Sequence, residues 1–343
     1  MTLSRSEPHP EAGPSRRQRS PAALALCLLL AALALGVLAL GVGSTGFEPI
    51  WRMWQDPLSA QIVHDIRAPR TLGAFAAGAL LGLAGAVAQG LFRNPLADPF
   101  LLGSASGASV GVAAALAGWG LSPLAAGWAL RLGLTGAAFV GAVLAVLLTL
   151  VLARGVQQTL RLLLAGVVVG VVLGAVTSLI TLSAPDTLQA MQAFMLGSTA
   201  FVGWPAVWLM VLVWCGCTAV AWALARLLDG LVLGEDSAAS LGLPVAPLRA
   251  ALVAVMALAT GAAVAQTGLI AFVGLAAPHL VRSLVAAGHG WLVLLSGLMG
   301  GLLLLVADAL ARAVVSPEEW PVGVLTALLG GGYLLWLMHR RAA

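Results

Sequence analysis

The 343-residue chain contains no lysine, and all 17 of its basic residues are arginine. A Walker A loop needs a lysine to hold nucleotide phosphates, so the chain contains no loop of that kind. If the protein takes part in ATP-driven transport, the ATPase must be another polypeptide. The net charge of +4 comes from arginines in predicted loops, without a basic patch interleaved with aromatic residues. A nucleic-acid partner is therefore not expected.

Charge of either sign is scarce. Only 9% of the residues are charged, whereas a soluble domain carries about 25%. This shortfall excludes an ordinary globular enzyme. Hydrophobic residues make up 61% of the chain, and they form repeated runs of about 20 residues, which is long enough to cross a bilayer. The runs do not alternate apolar and polar residues as barrel strands do, so we predict helices.

Cysteine is nearly absent, and Cys27, Cys215 and Cys217 all lie inside apolar runs. Cys215 and Cys217 are two positions apart, so on a helix they point to different sides. We predict that all three are inert small hydrophobic residues, with neither a disulfide nor a metal site. The residues also indicate no catalytic group.

We predict an all-α polytopic membrane protein with ten transmembrane helices and one short partial helix. The partial helix lies within residues 183–202, where Asp186 and Gln189 have capping-box spacing and Gly197 can end the helix. The predicted spans cover residues 21–42, 71–91, 98–119, 132–153, 160–182, 203–227, 247–266, 276–287, 291–314 and 321–338.

Two halves of the chain share a weak pattern. The segment AVAQ-GL at residues 86–91 recurs as AVAQTGL at residues 263–269, and LADPFL at Leu96 recurs as LAAPHL at Leu275. The second span would then match the seventh, five spans later and in the opposite direction. This arrangement predicts an inverted internal repeat, which is common in transporters.

The polar segments set the domain organisation and the orientation. Residues 1–20 are predicted to form a disordered cytoplasmic tail, and residues 21–343 a single transmembrane domain with a polar connection at 228–246. Placing both termini in the cytoplasm puts most arginines inside, as the positive-inside rule requires. Arg67, Arg70 and Arg312 are then among the few outside arginines.

Glycines recur every four residues in three of the predicted spans, a spacing that lets helix backbones approach closely. Helix packing is the simpler explanation for each row, and lining a pathway between helices is the alternative. The rows are Gly78 and Gly82; Gly103, Gly107 and Gly111; and Gly166, Gly170 and Gly174.

Five short motifs follow one another in the chain. They are Arg67-Ala68-Pro69-Arg70; Gln89 through Arg93-Asn94-Pro95-Leu96-Ala97-Asp98-Pro99; Gly234-Glu235 through Leu241-Gly242; Gly268 to Leu275 through Pro278-His279 and Arg282; and Glu319-Trp320-Pro321-Val322-Gly323 through Gly330. In this order they resemble the FecCD/BtuC-like permease subunits of type II ABC importers, which take up ferric siderophores, haem or cobalamin. The resemblance covers nearly everything from Ile66 to Met338.

The resemblance implies a ten-helix permease domain of the cell inner membrane that forms a homodimer with the translocation pathway between the copies. It implies two ABC ATPase subunits on the cytoplasmic side, which would bind ATP and magnesium, so that this chain itself holds no cofactor. It also implies a periplasmic substrate-binding protein outside and a metal-chelate substrate. Membrane lipid surrounds such a protein, and the permease itself would not be an enzyme.

Roles for individual positions also come from the resemblance. Docking of the binding protein would fall to Arg67, Arg70 and Arg312, although outside arginines can also simply anchor helix ends at lipid headgroups. Coupling to the ATPase would fall to Gly234, Glu235, Ala238, Leu241 and Gly242, with an ordinary solvated loop helix as the alternative. The remaining motif positions are structural: Gln89, Arg93, Asn94, Pro95, Asp98, Pro99, Pro278, His279, Pro321 and Gly323.

Several polar residues have simple expected roles. Asp308 and Arg312 are four apart and can pair, while Asp98 is expected to cap the third span and Asn94 to order its turn. His279 is expected near a helix start rather than on a metal. Gln89 and Gln266 are expected to form interhelical hydrogen bonds.

One departure from the family and two rival functions stay open. The family's usual Gly-x-Pro-x-Phe is replaced by Gly330-Gly331-Gly332-Tyr333-Leu334, with Gly332 at the proline position. An ion-coupled secondary transporter would need acids deep in the spans, and only Asp308 qualifies. An intramembrane enzyme would need a His-Glu-x-x-His or Asp-rich pattern, which the sequence lacks. The sequence does not identify the chelate.

Overall fold

The computed structural model describes residues 20–43, 46–47, 49, 55–119, 128–153, 159–232, 240, 244–314 and 318–342, and these are almost entirely helical. The predicted tail, apart from Ser20, lies outside the described residues. The α-helices are α1 Pro21–Gly41, α2 Pro57–Ile62, α3 Ala68–Leu91, α4 Ser104–Trp119, α5 Trp128–Leu152, α6 Thr159–Ser183, α7 Leu188–Leu196, α8 Trp204–Ala223, α9 Ala225–Val232, α10 Val245–Thr267, α11 Val273–Leu284, α12 His289–Ala313 and α13 Val322–Ala342.

Short elements connect these helices. After α1, β1 (Val42–Gly43) pairs in antiparallel fashion with β2 (Gly46–Phe47). A π-helical turn, Val63–Arg67, joins α2 to α3 without a break. Two 3-10 turns, Pro99–Leu102 and Pro185–Thr187, precede α4 and α7. All three cysteines are free, with Cys217 buried and the other two exposed.

A helix lies at each of the ten predicted spans, which confirms the helical class. Within the described residues, seven helical segments are long and apolar enough to cross a membrane. The helices α4 and α13 provide shorter apolar stretches, and α11 has only 12 residues. The protein is therefore a multi-pass helical membrane protein, while the count of ten crossings is not confirmed.

Three local predictions were wrong. The helix at the eighth predicted span, α11, begins at Val273 rather than Ala276. Pro278 therefore lies inside this helix, and His279 is not at its start. The third span is divided by Gly103, whose φ of +80° ends the 3-10 turn before α4. The connection at 228–246 stays a prediction, because the structure describes it only in part, with α9 ending at Val232. Asp186 does not cap α7, although Gly197 ends that helix as predicted.

Pro278 explains a close contact that the motifs did not predict. Proline has no N–H, so the carbonyl of Gly274, four residues earlier, lacks its usual helical donor. That carbonyl lies against Gly85 of α3, so closely that a Cβ at position 85 would overlap it. The proline and the two glycines together let α11 lie directly on α3.

The core is built around α3, which is buried along almost its whole length against α8, α10, α11 and α12. Gly78 and Gly82 lie against the backbone carbonyls of Gly300 and Ser296 on α12, and any Cβ there would overlap an oxygen. Gly107 and Gly111 make equivalent contacts between α4 and α5. The packing interpretation is confirmed for these four glycines, whereas Gly103 of the second row lies before α4 and ends the 3-10 turn.

The third glycine row behaves differently. Gly166 lies against the carbonyl of Leu101, but no described atom lies within 4 Å of where a Cβ on Gly174 would stand. Packing within the described chain therefore accounts for Gly166 and does not account for Gly174.

The second and seventh predicted spans run in opposite directions, as an inverted repeat requires. The start of α3 is tied to Asp308 through Arg70, and Asp308 is also bonded by Thr199. The neighbouring Ser198 donates its N–H to the carbonyl of Thr267 at the end of α10, 2.7 Å away. The start of α3 and the end of α10 thus lie at the same end of the protein.

Candidate functional site

The buried carboxylate of Asp308, near the end of α12, organises one end of the protein. Its side chain is 0% exposed. Its Oδ1 accepts from Arg70 Nε at 3.0 Å and from the Thr199 hydroxyl, while its Oδ2 lies 2.8 Å from Arg312 Nη2. Asp308 and Arg312 are four residues apart, so both lie on one face of α12 and form the predicted pair.

Arg312 is enclosed by its own chain and only 2% exposed. Its Nη1 donates to the carbonyls of Ala39 and Val42, each at 3.0 Å. These carbonyls belong to the last turn of α1 and the residue after it, where a helix lacks intrahelical donors and favours a positive charge. Arg312 thus fastens the end of α1 to α12.

Arg70, in the first turn of α3, has two acidic partners. Its Nε contacts Asp308, and its Nη1 donates to Glu319 Oε2 at 2.7 Å. Glu319 precedes α13, and its side chain is 30% exposed. We name Arg70, Asp308, Arg312 and Glu319 the Asp308 cluster. Two arginines and two acids balance its charge, which is the condition under which buried charges are tolerated.

Arg67 lies beside this cluster and is only partly buried. Its Nη1 donates to the carbonyl of Leu40 at 3.1 Å, and its guanidinium lies close to Gly43. The structure therefore brings Arg67, Arg70 and Arg312 to one end of the protein, as the predicted orientation requires. Arg70 and Arg312 both pair with Asp308 within the chain.

Two members of this site had no predicted role. Thr199 and Glu319 both contact it from segments far away in sequence. Glu319 opens a motif that was singled out, yet nothing in its spacing from Arg70 indicates contact. The sequence did indicate that an acid within a membrane span would pair with an arginine. That observation predicted only the Asp308–Arg312 pair and neither Thr199 nor Glu319.

The Arg93–Pro99 turn lies at the opposite end of α3. Asn94 Oδ1 accepts from the N–H of Leu96 at 2.9 Å, which confirms its predicted role in the turn. Asp98 Oδ1 accepts from the N–H of Phe100 at 2.8 Å, so it caps the 3-10 turn rather than α4 itself. Burial raises the pKa of the Asp98 carboxyl, and the Phe100 N–H opposes this rise. Arg93 has a positive φ of 49°.

Gln89 forms the interhelical bonds expected of it. Its Nε2 donates to the carbonyl of Leu275 on α11 at 3.2 Å, and Arg282, later on α11, donates to its Oε1. His279 lies in the middle of α11, where its ring packs edge-on against Tyr333 with centroids 5.9 Å apart. Gln89 and Arg282 therefore join α3 to α11 next to the Arg93–Pro99 turn.

The other motif positions serve packing. Pro99 lies against Gly274, and Gly323 of α13, which directly follows Pro321 and Val322, lies against the carbonyls of Leu196 and Leu269. In the departing Gly330–Gly332 segment, Gly330 accommodates the side chain of Phe272, a residue with a positive φ of 67°. A Cβ on Gly332 would meet no described atom within 4 Å, so the local packing does not require glycine there. Pro95 is exposed in the turn.

One further pair was not predicted. Asp229 Oδ1 accepts from the backbone N–H of His289 at 3.0 Å and lies 2.7 Å from His289 Nδ1. This pair joins α9 to the start of α12.

The predicted coupling residues Gly234, Glu235, Ala238, Leu241 and Gly242 follow α9 and lie outside the described residues. Within the described residues, no group of three His, Cys, Asp or Glu side chains could hold a metal ion.

Two known permeases are similar to this chain over almost their whole lengths. The hemin transport system permease protein HmuU of Yersinia pestis is 40% identical over 322 residues, covering 92% of this chain and 94% of HmuU. The vitamin B12 import system permease protein BtuC of Salmonella typhimurium is 39% identical over 334 residues, covering 95% of this chain and 98% of BtuC.

The fold of the chain is also similar to that of a solved transporter. A solved structure described as a metal-chelate type ABC transporter in an inward-facing conformation matches with a TM-score of 0.81 at 29% identity, covering 93% of this chain and 99% of that chain. The sequence profile of the FecCD transport family matches residues 26–340. The chain belongs to the FecCD transport family.

Proposed function

We propose that the chain is the transmembrane permease subunit of a binding-protein-dependent ABC importer for a metal chelate. The observation that carries the proposal is the nearly full-length similarity to permease proteins of hemin and vitamin B12 import. The cargo is a ferric siderophore, haem or cobalamin. The sequence alone does not identify the chelate, and the names of these two relatives favour haem or cobalamin.

Two copies of the chain would form the pathway between them. Only 17% of the apolar stretch of α6 is buried inside the single chain. Most of this helix can therefore contact lipid or another subunit. Gly174 on this helix has open space beside it, and glycines favour close contact between membrane helices. This supports α6 as a helix that faces the second copy.

The ATPase subunits would bind the side to which α9 leads. They would bind ATP and magnesium, and the segment from Gly234 to Gly242 would contact them. The Asp229–His289 pair supports this assignment because it joins α9 to the start of α12. A rigid helix conveys displacement along its length, so movement at this loop would reach the Asp308 cluster at the other end of α12.

The binding protein would dock at the end that carries Arg67 and the Asp308 cluster. In the proposed orientation, within a cell inner membrane and with both termini cytoplasmic, this end faces the periplasm. Arg67 is partly exposed, and an arginine fork can hold a carboxylate through two hydrogen bonds. The contribution of Arg312 is indirect, because its side chain is buried and fastens the end of α1.

A secondary transporter is less well supported. Such a transporter would use a buried acid that can gain and lose an ion or proton. The Asp308 carboxylate instead contacts two arginines and a hydroxyl of its own chain, so its oxygens already have partners within the protein.

The proposed function is tested by ATP hydrolysis in lipid nanodiscs that contain this permease and an ABC ATPase. We expect a periplasmic binding protein loaded with chelate to stimulate hydrolysis severalfold over the permease–ATPase complex alone. A reporter active only in the periplasm should work when fused after Asp56 or Ser183 and stay silent after Asp236 or Arg341. Absence of stimulation by binding proteins for all three chelate classes, or an inverted reporter pattern, would refute the assignment of partner surfaces.

A further inference from the structure

We propose that Glu319 occupies, in the free permease, the position on Arg70 that a carboxylate of the binding protein takes on docking. The inference rests on the proposed function, because it assumes that this end of the protein receives a binding protein. Glu319 would then set the affinity and selectivity of docking by competing with the partner for one arginine.

The two acids on Arg70 differ in a way that fits such an exchange. Asp308 is 0% exposed and contacts Nε, whereas the side chain of Glu319 is 30% exposed and contacts Nη1. Removing Glu319 would free the Nη1 that contacts the more exposed acid and leave the buried Arg70–Asp308 pair intact. Arg70 would stay in position, since Asp308 still holds it.

The charges of the cluster point to the same exchange. Arg70 and Arg312 balance Asp308 and Glu319, so a carboxylate that joined these four residues without displacing one would give them one excess negative charge. Burying a charge without a partner is strongly unfavourable. An incoming carboxylate that replaces Glu319 keeps the site neutral, and the released Glu319 can become hydrated.

The backbone next to Glu319 is held in place independently of its side chain. Glu319 precedes α13, and the next residue, Trp320, donates its N–H to the carbonyl of Ala311 at 3.2 Å. This bond holds the backbone beside α12 whether or not the Glu319 side chain contacts Arg70. The exchange therefore needs only a side-chain rotation.

The test measures binding of a purified periplasmic binding protein, chosen because it stimulates ATP hydrolysis by the complex, to permease–ATPase nanodiscs. We expect Glu319→Gln to bind about two- to five-fold tighter, as the loss of a competing, partly exposed ion pair implies. Glu318→Gln is the matched control, because it removes the same charge from the exposed neighbouring residue, and its affinity should equal that of the wild type. Glu319→Ala provides a second variant, with the same expected gain.

Arg67→Glu separates this inference from the proposed function. If Arg67→Glu weakens binding while Glu319→Gln and Glu319→Ala bind like the wild type, the exchange is wrong and docking at this end stands. If neither Arg67→Glu nor the Glu319 variants change the affinity, docking at this end is wrong as well. Weaker binding by both Glu319 variants, in complexes with normal thermal stability, would show that Glu319 positions Arg70 rather than competing for it.

Discussion

Arg70 and Asp308 form a buried ion pair in which Nε and Oδ1 are 3.0 Å apart, although 238 positions separate the two residues in sequence. The pair joins the start of the central helix α3 to the end of α12. Asp308 also contacts Arg312, so one carboxylate serves two buried arginines. The stability of this end of the protein therefore depends on Asp308.

Replacing Asp308 should destabilise the protein. Asp308→Asn would leave the two buried arginines with Glu319 as the remaining acid of the Asp308 cluster, and removing one partner of a buried pair costs roughly 3–5 kcal/mol. We expect a clearly lower thermal unfolding temperature in detergent. The control is Asp186→Asn, which removes an exposed acid. Equal unfolding temperatures for Asp308→Asn and the wild type would show that the pair contributes little.

Gly82 should tolerate no larger side chain. In Gly82→Ala, the new methyl group would overlap the carbonyl of Ser296, forcing α3 and α12 apart. Overpacking of this kind costs about 1–3 kcal/mol. The matched control is Gly216→Ala on α8, where a Cβ would meet no described atom within 4 Å. Thermal unfolding of the two variants should differ, and a similar effect at both positions would contradict the packing account.

Asp98 should give the protein a pH-dependent stability. Because the pKa of this carboxyl is raised in the folded state, folding favours its protonated form. The contribution of Asp98 to stability is therefore largest below about pH 4 and falls as the pH rises through the raised pKa. Asp98→Asn keeps an oxygen for the Phe100 N–H and removes the titration. Its unfolding temperature should vary less between pH 4 and 8, and an unchanged pH profile would exclude Asp98 as the source.

Glu235 and Leu241 should be needed for energy coupling. The pair of substitutions Glu235→Ala and Leu241→Ala should lower ATPase stimulation and transport, because the acid expected at a helix start and the proposed apolar contact with the ATPase would both be lost. Docking of the binding protein should survive, which provides an internal control. If the ATPase subunits co-purify with the double variant and hydrolyse ATP normally, the coupling segment lies elsewhere.

The helical class and the approximate helix positions could be predicted because each apolar run is continuous and long. Boundaries were less predictable. Pro278 was placed at a helix start because proline is poorly tolerated inside helices. In the structure it lies inside α11, where the carbonyl that lacks its donor packs on Gly85. Gly85, which makes this contact possible, lies 189 positions before Gly274, the residue that carries the carbonyl.

Local pairs were predictable, and distant ones were not. Asp308 and Arg312 lie on one helix, so their spacing alone indicated contact. Arg70, Thr199 and Glu319 reach Asp308 from three other segments, and helical periodicity holds no information about which helices are neighbours. The docking role was predicted for three outside arginines, and the burial of Arg70 and Arg312 could not be predicted because it arises only when these segments assemble.

The central claim is that this chain imports a metal chelate only as part of an ATP-driven complex. The most direct measurement is uptake of haem, cobalamin and a ferric siderophore into proteoliposomes that contain the permease and its ATPase. The binding protein and ATP must be supplied on their respective sides. We predict that one chelate accumulates and that omitting ATP, the ATPase or the binding protein abolishes its uptake. Uptake by the permease alone, driven by a proton or sodium gradient, would contradict the account.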